Sequence, residues 1–233
     1  MLGVMGPDSR RLLSALTNSN LSSEAFPFAT AQYIDVGYAR PLALRMSYVG
    51  ELGWELYIPP DFATGVFDAL MEEGATLDLK LVGLHAVDSL RLEKGYRHWG
   101  SDIGPDDTPF EAGLGFHVKL AKRDFVGRKA LLRQHEKGLT RKLVIFTLED
   151  PGPLLYHDEP IYRDGQLFSR NTHGAYAHHL ECAIGMGYLE NPEGASDEWI
   201  MSGKYEIDIE GRLYSAGVHI NAPYDPKGQR LQM

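Results

Sequence analysis

A chain of 233 residues with 43% apolar and 24% charged residues has room for two packed domains of ordinary globular make-up. Its formal charge of −9, with basic residues scattered in short groups such as Lys122-Arg123 and Arg141-Lys142, argues against a nucleic-acid or anionic-membrane surface, since either needs a clustered basic patch. The single cysteine, Cys182, excludes an internal disulfide framework and fits a reducing compartment, and no apolar run approaches the ~20 residues of a membrane helix.

The elements follow in chain order. Leu2 to Met5 read as a strand, Gly6-Pro7 as a turn, and Asp8 or Ser9 as the cap of a helix carrying Leu12, Leu13 and Leu16 on one side. A domain rarely opens on an apolar strand this close to its terminus, so further sequence is expected upstream. Residues 41–58 are the clearest strand pair. Leu42, Leu44, Met46 and Tyr48 alternate with Ala43, Arg45 and Ser47, the period-2 signature of a half-buried strand. Gly50-Glu-Leu-Gly53 makes the turn, and Trp54, Leu56 and Ile58 resume the alternation against Glu55 and Tyr57. Pro59-Pro-Asp61 starts a helix whose Phe62, Val66, Phe67, Leu70 and Met71 recur near helical spacing up to Gly74.

A further helix is predicted from about Gly83 to Glu93, stopped by Gly95, followed by a loop from Ser101 to Asp107 rich in Gly, Pro and Asp. Asp124 to Gln134 form another helix. After Thr140 the character changes to short β-rich runs, at 142–148, 160–162, 183–188, 205–209 and 213–220, with Asp164-Gly165 and Glu210-Gly211 as tight hairpin signals. The expected fold class is therefore α+β: residues 1–140 a mixed α+β region, and residues 141–233 a small antiparallel β-barrel or sandwich.

Several chemistries lack their motifs. No Gly-x-Gly-x-x-Gly links a strand to a helix, because Gly185-Met-Gly187 lies inside a β run, and no phosphate loop or Gly-x-Ser-x-Gly is present. The nine histidines show no metal-ligand spacing, and His178-His179, read as strand neighbours, would point to opposite faces in a structural or solvent role. No metal ligand and no catalytic residue is assigned.

Two features remain. The hairpin Ser47-Tyr-Val-Gly-Glu-Leu-Gly-Trp-Glu-Leu-Tyr57 sets Glu51 and Glu55 beside two glycines and three large aromatics. A carboxylate accepts two parallel N–H bonds, as from a guanidinium or the amino-pyrimidinone edge of a pterin, and Tyr48 or Tyr57 offers a stacking face or a hydroxyl to a flat ligand. The plain alternative is a surface hairpin with an ordinary salt bridge. In the second helix, Leu84, Val87 and Arg91 at i, i+3 and i+7 place a guanidinium on the apolar stripe. A buried arginine needs an anion, which is either internal (Asp88 or Glu55) or a ligand carboxylate.

These residues resemble a known family. The hairpin, Asp88-Ser-Leu-Arg-Leu-Glu-Lys-Gly-Tyr-Arg-His-Trp99, Thr108-Pro-Phe-Glu-Ala-Gly-Leu114, Asp124-Phe-Val-Gly-Arg-Lys-Ala-Leu131, Ala183-Ile-Gly-Met-Gly-Tyr188 and Tyr224-Asp-Pro-Lys-Gly228 are similar to the folate-binding region of dimethylglycine and sarcosine dehydrogenases, itself similar to the glycine cleavage T-protein, an aminomethyltransferase. Leu52 and Trp54, where the T-protein usually has Asp and Phe, favour the dehydrogenase branch, as does Val87 in place of arginine, and Gly95-Tyr-Arg-His-Trp99 looks most like sarcosine dehydrogenase.

The resemblance implies a T-protein-like cloverleaf, incomplete here, that holds tetrahydrofolate. It maps the folate contacts onto Tyr48 and Glu55 with Tyr57 beside them, onto Phe116 after the Glu-Ala-Gly-Leu block, and onto the motif arginine, Arg91. It further implies capture of a methylene group from an N-methyl amine as 5,10-methylenetetrahydrofolate, with FAD on a separate or missing dehydrogenase domain or subunit. The family's catalytic-site aspartate lies upstream of anything in this chain. A cytoplasmic location in a bacterium, or the mitochondrial matrix in a eukaryote, goes with that reading. The rivals are a regulatory module like the regulatory subunit of pyruvate dehydrogenase phosphatase, and a free-standing T-protein.

Overall fold

The computed structural model describes residues 1–233, which form two compact units: Met1–Leu90 with Asp225–Met233, and Arg91–Tyr224. In the first unit the order is β1 (Leu2–Met5), α1 (Ser9–Leu16), β2 (Ala31–Tyr33), β3 (Leu42–Leu44), β4 (Gly53–Tyr57), α2 (Ala63–Gly74) and the start of α3 (Leu84–Glu93). The strands form one antiparallel sheet in the order β1-β4-β3-β2, so β1 is an edge strand. Val4, Ala43, Trp54 and Leu56 on one face join Leu12 and Leu13 of α1 and Val66 and Leu70 of α2 in the core. Val66 and Leu70 stand one turn apart, as helical spacing requires, while Phe62 and Phe67 stay exposed.

The expected alternation in β3 is present with its faces exchanged. Ala43 and Arg45 turn inward, while Leu42 and Leu44 are half-buried and Met46 is exposed. Ala43 lies opposite Leu56 and is fully buried in one core with Trp54 and Leu56. Arg45 is 1% exposed because its guanidinium is taken up by oxygens: Nη1 donates to Phe26 O at 2.7 Å, and Nη2 to Ser23 Oγ at 3.3 Å and Met233 O at 3.0 Å. The strand also stops early. Met46 N turns back to Leu44 O, and residues 45–52 form a wider loop than a four-residue turn.

The second unit opens on the last turn of α3 and includes α4 (Arg128–Lys137), which starts at Arg128, after Gly127 with its φ of 86°. Then come β5 (Arg141–Leu148), β6 (Pro160–Arg163), β7 (Gln166–Ala177), β8 (Cys182–Glu190), α5 (Asp197–Ser202), β9 (Tyr205–Ile209) and β10 (Arg212–His219). The six strands close into an antiparallel barrel in the order β10-β5-β8-β7-β6-β9. Asp164-Gly165 and Glu210-Gly211 make its tight turns, with both residues of each pair at positive φ, as a type I′ hairpin demands. Val144, Phe146 and Leu148 of β5 fill the barrel with Ile161, Leu189 and Ile207. Leu143 and Ile145, on the other face, pack with Leu92, Ile184 and Met186. Burial on both faces is why β5 and β8 read as near-continuous apolar runs. β5 starts at Arg141, and the compact units part at the 90/91 bond within α3. His178 and His179 lie in the turn between β7 and β8 and not on a strand; His179 Nδ1 is 2.7 Å from the buried Glu93 carboxylate and its ring stacks on Tyr224.

Candidate functional site: a cleft along the edge of the first sheet

A cleft of about 600 Å³ runs beside β1 in the first unit. One side is β1 with its flanking residues, Met1 to Gly6. The hairpin contributes Tyr48, Val49, Glu51 and Glu55, and the far wall comes from Phe67, Leu70 and Met71 of α2, from Leu79 to Val82, and from Val87 and Leu90 of α3. The lining is mostly apolar with a few convergent polar groups, which is the usual make-up of a small-molecule site.

The pleat determines what faces the cleft. Trp54 and Leu56 of β4 point into the core, so Glu55 and Tyr57 must share the other face. Glu55 lies between Gly3 of β1 on one side and Leu44 of β3 on the other. Gly6 N donates to Leu52 O at 2.8 Å, which makes residues 6 and 52 a hydrogen-bonded pair; by alternation Gly3 and Glu55 are a non-hydrogen-bonded pair, whose side chains come closest. With only hydrogen at Gly3, the flank of Glu55 is left clear. Gly53 is required for a different reason, since a Cβ there would lie 2.8 Å from Met5 Cγ and 3.0 Å from Val4 O.

The five residues singled out in the sequence separate into groups. Tyr48 and Glu55 line the cleft together. Tyr57 does not line it: the residue is 46% exposed, and its hydroxyl donates to Glu55 Oε2 at 3.0 Å. That bond, with the carboxylate charge behind it, pushes the Tyr57 phenol above its ordinary pKa. Arg91 lies in the second unit with no exposed surface. It forms an ion pair with the equally buried Asp102, and its Nη1 also donates to Tyr96 O at 2.9 Å. Asp102 in turn accepts from His98 N at 2.8 Å and Thr172 Oγ1 at 2.9 Å, so the anion that the sequence required for Arg91 is internal and is held in place. Phe116 sits in a one-turn 3-10 helix, Gly115–His117, exposed and with its ring 4.0 Å from that of His117.

Glu51 is a cleft residue that sequence reasoning noticed but did not select. It is 8% exposed, with Arg230 Nη1 at 3.5 Å. The signal was its place in the glycine-bracketed turn, four residues before Glu55 of β4. The cleft thus holds two carboxylates beside an apolar floor.

Comparison with known proteins decides the family. The GCVT N-terminal domain matches residues 1–122, and the glycine cleavage T-protein C-terminal barrel domain matches residues 141–225. The chain belongs to the glycine cleavage T-protein family. Within it, the chain is 44% identical over 232 residues to a 4-methylaminobutanoate oxidase (formaldehyde-forming) of Paenarthrobacter nicotinovorans, covering 99% of this chain and 27% of that protein. It is 40% identical to the mitochondrial sarcosine dehydrogenase of Homo sapiens, covering 100% and 26%. To an aminomethyltransferase of Halothermothrix orenii it is 42% identical over 200 residues, covering 86% and 55%. The crystal structure of the glycine cleavage aminomethyltransferase T of Bartonella henselae superposes with a TM-score of 0.77 at 25% identity, over 92% of this chain and 56% of that one. The chain therefore spans about a quarter of the oxidase and dehydrogenase relatives and just over half of the aminomethyltransferases. No helix is long and apolar enough to cross a membrane.

Proposed function

We propose that the cleft takes the amino-pyrimidinone edge of tetrahydrofolate on Glu55, with Tyr48 beside the pterin ring, and that the chain serves one-carbon transfer. In this reading an FAD-dependent dehydrogenase domain or subunit oxidises an N-methyl amine such as sarcosine or dimethylglycine, and the bound folate supplies the nitrogens that capture the released methylene as 5,10-methylenetetrahydrofolate. The observation that carries the reading is Glu55: a carboxylate in an apolar cleft, open on the Gly3 side, able to accept two parallel N–H bonds. A volume of about 600 Å³ suits a bicyclic ring with part of its tail. The contribution of the chain is to orient the ring and exclude water around it. Arg91, matched to Asp102, has no ligand role in this proposal.

Calorimetric titration of the chain with tetrahydrofolate tests this. Glu55→Ala is expected to weaken binding at least about tenfold, since a charged contact left half-made costs roughly 2–5 kcal/mol and about 1.4 kcal/mol is one decade. The unfolding temperature should hold, because Glu55 is outside the core. Unchanged affinity would leave Glu55 a structural residue and favour a regulatory module. The chain is also 35% identical to the regulatory subunit of mouse pyruvate dehydrogenase phosphatase.

A further inference from the structure

The basic side chains are less scattered than their short groups imply. Residues 119–137 hold seven lysines and arginines against two acids, Asp124 and Glu136, a net +5 that leaves −14 on the rest of the chain. None of the seven forms an ion pair, and no residue of the stretch is buried. Val126 is fully exposed, and Phe125, Leu131 and Leu132 are only half-buried.

Within this stretch α4 is charged against its own stability. Arg128 and Lys129 stand in its first turn, where the helix dipole favours anions and no acid is present. Lys129, Arg133 and Lys137 recur at every fourth residue, and a row of like charges at that spacing opposes helix formation. A helix of 10 residues is marginal unless it packs an apolar side, yet α4 buries none of its residues. A solvated helix face usually interleaves charges of both signs. This one leaves its cations unmatched and its apolar groups uncovered.

We propose that residues 119–137 dock an acidic protein surface, that of the FAD-dependent dehydrogenase domain or subunit, a partner that rests on the function proposed above. Apolar side chains set among the cations fit a protein contact, with its apolar centre and polar rim, better than a polyphosphate. The matched region is 27% of the oxidase relative and 26% of the sarcosine dehydrogenase relative, so most of each of those proteins lies outside it and is at hand to cover this stretch.

Carbodiimide cross-linking, which joins lysine amines to carboxylates in direct contact, tests the surface. Applied to the full chain in an extract of its own host, with the linked peptides read by mass spectrometry, it should join Lys119, Lys122, Lys129 or Lys137 to Asp or Glu of a flavin-carrying dehydrogenase. Combining Lys122→Glu, Arg123→Glu and Lys129→Glu should cut the flavoprotein retained by the chain at least about tenfold, because like charges then face each other. The unfolding temperature should hold, since all three side chains are exposed. Val126→Asp, which alters no cation, should weaken retention as well by charging the apolar contact. Flavoprotein joined only through other lysines, such as Lys204 and Lys227, or retained in full by both variants, would overturn the docking surface and leave the dehydrogenase reading standing. Absence of any flavoprotein would remove that reading and the inference with it. Links from the four lysines to a second copy of the chain, or nucleic acid that the triple variant releases, would show a different occupant and overturn the proposal.

Discussion

Arg91 shows how far a single residue can be read before its surroundings are known. Helical spacing put its guanidinium on an apolar stripe, and elementary electrostatics required an anion for it. The need for an anion is met, for Arg91 has no exposed surface and is paired, but the stripe itself is not buried: Leu84 is exposed and Val87 half-buried. What the spacing could not supply was the partner. Asp102 lies eleven residues on, in a segment whose Gly, Pro and Asp content says only that it is a loop. The fold then secures that loop aspartate with His98 N and Thr172 Oγ1. Arg91 thus belongs to the stability of the second unit, and the prediction follows from removing one half of the pair. Arg91→Ala should cost about 3–5 kcal/mol in urea unfolding, because it strands a buried carboxylate. A loss below about 1 kcal/mol would mean that Asp102 is not held as a buried ion, and the ligand role would have to be reconsidered.

At the scale of elements, the sequence was most legible where one face of a strand or helix carries large apolar groups. β4, α2 and the barrel strands β5, β8 and β9 lie where alternation or apolar runs put them. β7, twelve residues long, was missed because, Phe168 apart, its packing uses few large apolar groups. Its inward positions include Asn171, whose Nδ2 donates to Glu159 Oε2 at 2.9 Å, and Gly174, where a Cβ would lie 2.5 Å from Leu155 Cβ. A strand packed through glycine and asparagine has no apolar period to detect. The same principle governs the cleft, whose shape depends on a missing side chain at Gly3. A Cβ there would meet only the end of the flexible Met5 side chain, Cε at 3.2 Å and Sδ at 3.8 Å, so the strand can accept a larger residue. Gly3→Val should therefore fold with an unchanged unfolding temperature. Its branches would stand against Glu55, the closest type of cross-strand neighbour, and tetrahydrofolate affinity should fall by about tenfold or more. Full affinity in this variant would show that the ligand does not use the Gly3 flank.

For the whole chain, the change in composition coincides with the first strand of the barrel, while the compact units part elsewhere. The compact units part inside α3, a continuous helix with no break in its pattern, and Asp225–Met233 rejoin the first unit after the barrel. No periodicity announces that return, because it is made by hydrogen bonds from arginines far away in sequence. Arg10 and Arg45 both donate to Met233 O, Arg230 lies 3.5 Å from Glu51, and Leu231 is 8% exposed. Burial lowers the pKa of Arg45, and Arg10 adds to the effect, so the oxygens around this guanidinium are what make its place tolerable. Deleting residues 229–233 removes one of them and leaves a buried donor short of a partner, a cost of about 1–3 kcal/mol. The loss should be confined to one unit. Amide exchange in β1 to β4 and in the loop 22–30 should accelerate by roughly 5- to 150-fold, the range that this energy converts to. The amides of β5 to β10 should keep their protection, since the barrel closes on its own strands. Faster exchange in the barrel as well would show that the last residues stabilise both units, and no change in either would show that the arginines find other acceptors.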